Sequence, residues 1–360
     1  MKEAATFHLE IDRFIKASPQ KIFDALTQEP SIKAWYCPRG MSVAEASVEA
    51  KVGGKYRIVM ASRHDGSRHV VGGVFQAIER PDFIAYTWRW EDGPMPDATT
   101  LIEIRLTAKD GGTALHMRHT GFPNAQSRDS HQHGWQSVFN RLSDLVDPEG
   151  SASTVTLFGN PRSTYCWTAR LGLAEKGVKY RLEPNRPHAP EQLAIHPFGR
   201  VPAMRDGETV IWETRAILDY VDEAFDGPSL TPTTGMIARA RSEQWISAIN
   251  CYCYDAMVRR YVLQYFFPGG VDGGPNRSVI DSATPEIDKQ LALFDKAYGG
   301  ADYLTGASMA MADLFLAPLV FYLGRFPEGK ALLEKYPGVR RGQEVMQARP
   351  SFAATLPKLG

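Results

Sequence analysis

The chain has 360 residues, 43% of them hydrophobic and 23% charged, with 41 basic side chains against 41 acidic ones. It is long for a single core and ordinary in composition for a folded globular protein, which argues for two or three domains and against disordered or collagen-like sequence. With the two signs balanced and neither gathered into a run, nucleic acid and anionic lipid are not expected partners.

The segment beginning Met1-Lys-Glu-Ala-Ala carries charges where a secretion signal needs an apolar core. The longest apolar run, Leu314 to Leu323, contains Pro318 and is about half a membrane span, so it reads as a buried helix and no membrane association is expected. Cys37, Cys166, Cys251 and Cys253 lack any Cys-x-x-Cys spacing, and a reducing cytoplasm is the expected compartment.

In chain order, strand-like runs occupy Phe7 to Lys16, Val43 to Glu49, Lys55 to Ala61, Val70 to Glu79, Phe83 to Trp90, Thr100 to Thr107 and Thr113 to His119. Turn chemistry separates them, at Gly53-Gly54, Asp65-Gly66, Pro81-Asp82, Asp92-Gly93 and Asp110-Gly111-Gly112, which predicts an antiparallel meander. A short helix is expected over Gln20 to Leu26 behind Ser18-Pro19, and a long one near Asp129 to Val146, where Trp135, Val138, Phe139, Leu142, Leu145 and Val146 recur at helical period. A curved sheet gripping one long helix is the implied shape.

This first segment resembles the START-like helix-grip (SRPBCC) superfamily, in the branch named after the activator of a heat-shock-protein ATPase. The carriers are Ala17-Ser-Pro-Gln-Lys-Ile-Phe-Asp-Ala-Leu26, Trp35-Tyr36, Gly53-Gly54-Lys55-Tyr56, Gly72-Gly73-Val74, Thr120-Gly121-Phe122 and Gly134-Trp135. The resemblance implies a cavity for a hydrophobic ligand, for which Trp35, Tyr36, Phe75, Tyr86, Trp88 and Trp90 are candidates, although core packing is the default for any one of them. The histidines of this segment fall on diverging faces, and no metal site is expected.

Asp147-Pro-Glu-Gly-Ser-Ala-Ser153 combines Pro, Gly and Ser and reads as a linker. Beyond it the pattern becomes a strand at Thr154 to Phe158, a helix from Thr164 to Lys176, a strand at Lys179 to Leu182, paired strands at Val201 to Arg205 and Thr209 to Trp212, and a helix from Glu213. From Met236 onward the periodicity is helical. The expected division is 1–147 helix-grip, 148–153 linker, 154–228 α/β and 236–357 all-helical.

Three pieces, Gly-Asn-Pro-Arg-Ser163, His196-Pro-Phe-Gly-Arg-Val-Pro202 and Trp212-Glu213-Thr214, stand in the order and spacing of cytosolic glutathione transferases, with phi-class and related bacterial forms the best match. The resemblance implies a thioredoxin-like domain followed by an all-α domain, a homodimer, and glutathione as co-substrate without a metal. It assigns Ser163 the role of stabilising the glutathione thiolate at a helix N-terminus. It makes Val201-Pro202 a cis dipeptide that pairs with the glutathione backbone, and gives Glu213 and Thr214 the γ-glutamyl end. Arg200 stands where phi-class proteins have Gln, and His188 lies in the loop that often reaches the glycyl carboxylate. Cys166 is one residue beyond the position of the cysteine-type classes and is expected to pack.

The apolar electrophile is expected to meet the aromatic-rich stretch containing Tyr252, Tyr254, Met257, Tyr261, Phe266 and Phe267. The reading is thus a glutathione transferase fused to a hydrophobic-ligand-binding domain. The alternative is a non-catalytic ligand-binding or chaperone-assisting stress protein that binds glutathione without turnover.

Overall fold

A computed structural model of the chain describes residues 7–93, 95, 97–147, 155–233 and 235–358. The expected linker at 148–153 lies outside the described residues. Buried apolar side chains form two separate clusters, one drawn from residues 9–146 and the other from 155–352.

In the first half, β1 (Phe7–Ile15), β2 (Met41–Val48), β3 (Lys55–Ser62), β4 (Arg68–Glu79), β5 (Phe83–Trp90), β6 (Thr100–Lys109) and β7 (Gly112–Phe122) make one antiparallel sheet. Its order is β1-β7-β6-β5-β4-β3-β2, a meander whose first strand returns to pair with the last. Helix α1 (Pro19–Thr27) starts where Ser18 accepts from the Lys21 N–H, as the Ser-Pro pair predicts.

Helix α2 (Glu29–Trp35), outside the expected elements, is entered through Pro30 and anchored by the Trp35 indole N–H donating to Ala25 O at 2.9 Å. The long helix α3 (Ala125–Val146) begins earlier than its apolar stripe, because Asn124 caps it by accepting from the Ser127 N–H. Leu145 proves exposed, whereas the rest of its predicted stripe is buried.

Five of the six aromatic cavity candidates, Trp35, Tyr36, Phe75, Tyr86 and Trp88, are buried and pack mainly on one another and on Trp135 and Phe139 of α3; Trp90 is half-buried. Next to them runs a relay in which the Trp135 indole donates to His119 Nδ1, His119 Nε2 donates to Thr100 Oγ1, and Thr100 donates to Trp88 O. With Nδ1 accepting, His119 is neutral, and burial together with His131 holds its pKa well below the usual value.

The second half opens with β8 (Val155–Phe158), α4 (Thr164–Glu175), β9 (Arg181–Glu183), α5 (Pro190–Leu193), β10 (Ala203–Asp206), β11 (Thr209–Trp212) and α6 (Thr214–Ala224). The sheet order is β11-β10-β8-β9, with β9 parallel and β10 antiparallel to β8, a thioredoxin-like arrangement. The helical remainder comprises α7 (Met236–Ala248), α8 (Leu263–Phe266), α9 (Arg277–Tyr298), α10 (Met311–Leu323), α11 (Pro327–Leu333), α12 (Pro337–Gln347) and α13 (Pro350–Thr355).

Between α7 and α8 the chain is wound as π-helix over Ile249–Cys253 and Asp255–Val262, a rare geometry that periodicity alone did not reveal. Helix α10 is almost wholly buried and, lacking a hydroxyl at Ala310, is capped by Asp313, which accepts from the N–H groups of Ala310 and Leu304. Burial raises the Asp313 carboxyl to about 6 against those hydrogen bonds. Among the described residues, no helix is long and apolar enough to cross a membrane.

The halves meet around Arg39, whose guanidinium lies 2.5 Å from Asp206 Oδ2 at the end of β10, donates to Asp144 at 2.8 Å, and sits 4.1 Å from the Phe225 ring centroid. Asp206 also accepts from Tyr220 OH at 2.8 Å and from the Asn140 amide at 3.4 Å. The Gly40 N–H donates to Ala224 O, and Arg63 pairs with Asp226.

Candidate active site

The loop between β8 and α4 is held in place before any ligand is considered. Gly159 has φ 148°, and a Cβ there would lie 2.4 Å from Cys166 Sγ, so only glycine fits. Arg170 donates to Pro161 O, and Tyr322 of α10 donates to Arg162 O. These contacts deliver Ser163 to the N-cap of α4, where its Oγ accepts from the Cys166 N–H at 3.4 Å.

Ser163, Arg200, Val201, Pro202, Glu213 and Thr214 line one cavity of about 750 Å³, so six of the seven expected site residues converge. The Val201-Pro202 bond is cis, immediately before β10. The seventh, His188, is exposed in the loop beside the lining residue Pro187 and is not itself in the wall; its N–H donates to Gly199 O. Cys166 is fully buried with its thiol pushed up to about 12, because burial disfavours the thiolate.

Glu213 adopts φ 72° although it is not glycine, a strained conformation at the cap of α6 that turns its side chain toward the cavity wall. Two further residues support it, His196 at the start of the second motif and Gln192 outside every motif. His196 is buried, accepts from the Phe198 N–H on Nδ1, and places Nε2 3.8 Å from Glu213 Oε1; burial keeps its pKa below the usual value. Gln192, also buried, donates to Arg200 O at 2.6 Å and accepts from Asn185, fixing the approach to Val201. Both are polar residues at 1% exposure or less, and burial is not visible in a loop-rich sequence.

Residues 157–229 match the family described as glutathione S-transferase, N-terminal domain, and residues 252–350 match glutathione S-transferase, C-terminal domain. Residues 16–147 match the family of activator of Hsp90 ATPase homolog 1-like protein. The chain joins an Hsp90-ATPase-activator-like domain to the two domains of a glutathione S-transferase.

Glutathione S-transferase 1 of Triticum aestivum is 28% identical over 55% of this chain and 92% of its own length. Glutathione S-transferase 3 of Zea mays is 27% identical over 56% of this chain and 92% of its own. Among solved structures, glutathione transferase F7 of Populus trichocarpa is 26% identical, covers 56% of this chain and 97% of its own, and superposes with a TM-score of 0.51.

The opposite wall of the transferase-like cavity comes from the π-helical segment and its flanks: Asn250, Tyr254, Val258, Arg259, Val262 and Phe266. Of the aromatic stretch singled out in the sequence, Tyr254, Phe266 and Phe267 line it, Met257 and Tyr261 are buried in the core, and Tyr252 is exposed. Tyr165, two residues beyond Ser163 in the first turn of α4, stacks on Tyr254 with centroids 4.6 Å apart. Among the described residues no group of three or more His, Cys, Asp or Glu could hold a metal ion.

Proposed function

We propose that the protein conjugates glutathione to an apolar electrophile, with Ser163 holding the sulfur as thiolate. The supporting observation is that a serine hydroxyl at a helix N-terminus, a cis-proline edge and the Glu213-Thr214 helix start line the same cavity. Glutathione's thiol resembles free cysteine, with a pKa of about 8.5, and lies mostly protonated at neutral pH. A hydroxyl donor and the amide groups at the start of α4 both favour the anion. The edge at Val201 pairs with the peptide backbone, Thr214 and the α6 amides take the γ-glutamyl carboxylate, Glu213 takes its ammonium, and Arg200 and His188 serve the glycyl end.

The sulfur then forms a bond to the electrophilic carbon while the leaving group departs with its electron pair. On this reading the chain divides into 1–147, the linker 148–153, and 154–228 with 236–357 as the two transferase domains, and works as a cytoplasmic homodimer. The first domain takes a hydrophobic ligand by opening the aromatic cluster around Tyr36 and Tyr86, which is closed on itself here. Aryl-halide conjugation by wild type and Ser163→Ala tests the proposal: glutathione binding without turnover in the wild type, over a panel of electrophiles, would establish the non-catalytic binder instead.

A further inference from the structure

The cavity carries more positive charge than glutathione consumes. Four arginines line it, Arg162, Arg200, Arg215 and Arg259, against the single carboxylate of Glu213. Arg215 is neutralised by Asp219 and Glu243, and Arg200 flanks the cis dipeptide at the peptide-binding edge. Arg259 is different. It stands on the π-helical wall, away from the elements that would hold the peptide, and its nearest carboxylate among the described residues, Asp255, is 3.9 Å distant and already bonded by Arg260 at 2.8 Å.

The Arg259 guanidinium lies 5.4 Å from the Tyr254 ring centroid, and Tyr254 stacks on Tyr165 at an interplanar angle of 23°. The cation thus lies over the Tyr254 ring, within a wall otherwise made of Asn250, Val258, Val262 and Phe266. Such a wall packs a planar ring against Val258, Val262 and Phe266 and takes an anionic substituent at Arg259 by a charge-assisted hydrogen bond. Burial keeps both tyrosine hydroxyls protonated and able to donate alongside it.

We infer that Arg259 is a specificity-determining residue and that the acceptor is a planar aromatic electrophile bearing a carboxylate. The inference rests on the transferase reading and refines it. In the reaction, thiolate addition moves negative charge into the ring, the carbon–halogen bond breaks as the carbon–sulfur bond forms, and halide leaves with its electron pair. The carboxylate is a bystander held by Arg259, orienting the reactive carbon toward the sulfur.

The test uses the intact protein with 4-chloro-3-nitrobenzoate and its neutral amide, 4-chloro-3-nitrobenzamide, each kcat/KM divided by the uncatalysed rate with glutathione. Wild type is expected to prefer the acid by roughly fivefold, the upper range for an exposed ion pair. Arg259→Gln brings the ratio to about one, and Arg259→Lys keeps part of the preference because the charge remains while the planar fork is lost. Equal normalised rates for acid and amide in the wild type, or an undiminished ratio in Arg259→Gln, overturn the inference and leave the transferase reading standing. Turnover of neither acceptor nor of any other aryl halide removes both.

Discussion

Arg39 of the first half and Asp206 of the second form an ion pair in which the two side chains retain 8% and 1% of their exposure. Asp206 terminates β10, the strand that begins just after the cis Val201-Pro202 bond, and Phe225, which faces Arg39, directly follows α6, the helix that Glu213 caps. Strand β10 and helix α6 of the second half therefore meet the cavity at one end and the Hsp90-ATPase-activator-like domain at the other.

Removing one member of this pair leaves a buried charge without its partner. Arg39→Ala should destabilise the chain by about 3 kcal/mol or more, whereas Arg39→Met combined with Asp206→Asn should recover much of that loss, because neither charge then needs compensation. Urea denaturation of the single and double variants measures both, and small-angle scattering should show Arg39→Ala alone with an enlarged radius of gyration.

Ser163→Ala should lower kcat at neutral pH by about 10- to 100-fold, the worth of one hydrogen bond to a charged acceptor. The pH–rate profile supplies the decisive readout. Its acid limb should move up by about one to two units, since without the donor the bound thiol approaches its free value, and the variant should regain rate as pH rises. A lowered rate with an unmoved profile would mean that Ser163 acts only as the cap of α4.

Glu213→Gly should pull stability and affinity in opposite directions. Glycine adopts φ 72° without strain, so the thermal midpoint should rise, by up to about 1 kcal/mol of stability. Loss of the carboxylate opposite His196 should weaken glutathione binding severalfold, as read by calorimetry.

The four cysteines should separate by exposure. A thiol reagent should label Cys251 first in the folded protein, since Cys37, Cys166 and Cys253 are buried and burial raises the pKa of each. Cys166→Ala should retain conjugation, while Gly159→Ala, whose methyl would collide with Cys166 Sγ, should lose folded protein. Rapid Cys166 labelling that blocks turnover would restore it as a reactive thiol.

The His119 relay makes the first domain sensitive to acid. Its folded pKa is depressed, so below the ordinary value of about 6.5 the unfolded chain binds a proton that the folded chain refuses. Stability should therefore be maintained above that value and fall as pH drops from about 6.5 toward 5. Nuclear magnetic resonance should find the His119 ring neutral, with the proton on Nε2, throughout that interval; a titration near its ordinary value would contradict the relay.

The fold was legible because it was written in local chemistry. Alternating strands and Gly or Asp-Gly turns specify the meander, and Ser18-Pro19 and Ser163 announce helix starts that the structure places within a residue. What stayed hidden depends on tertiary burial. Helix α2 is too short for a periodic signal, and the π-helical turns use residues that suit an α-helix equally well. At the site, motif order picked out residues that line one cavity, but the burial of His196 and the contacts of Gln192 and Arg259 depend on where neighbouring segments put them, which a single sequence does not encode locally.

The π-helical stretch has one further consequence. Its widened turns hold more residues per cycle than an α-helix, so the cavity wall depends on the count of residues between α7 and α8 as well as on their identity. Deleting one residue between Asp255 and Val262 would let the backbone close ordinary α-helical bonds and would leave the residues beyond it near their present rotation, because the widened turns already accommodate the surplus residue. The places of Val258 and Arg259 in the cavity wall would shift as the turns tightened, so a change in chain length alone, with every named side chain intact, would reshape that cavity.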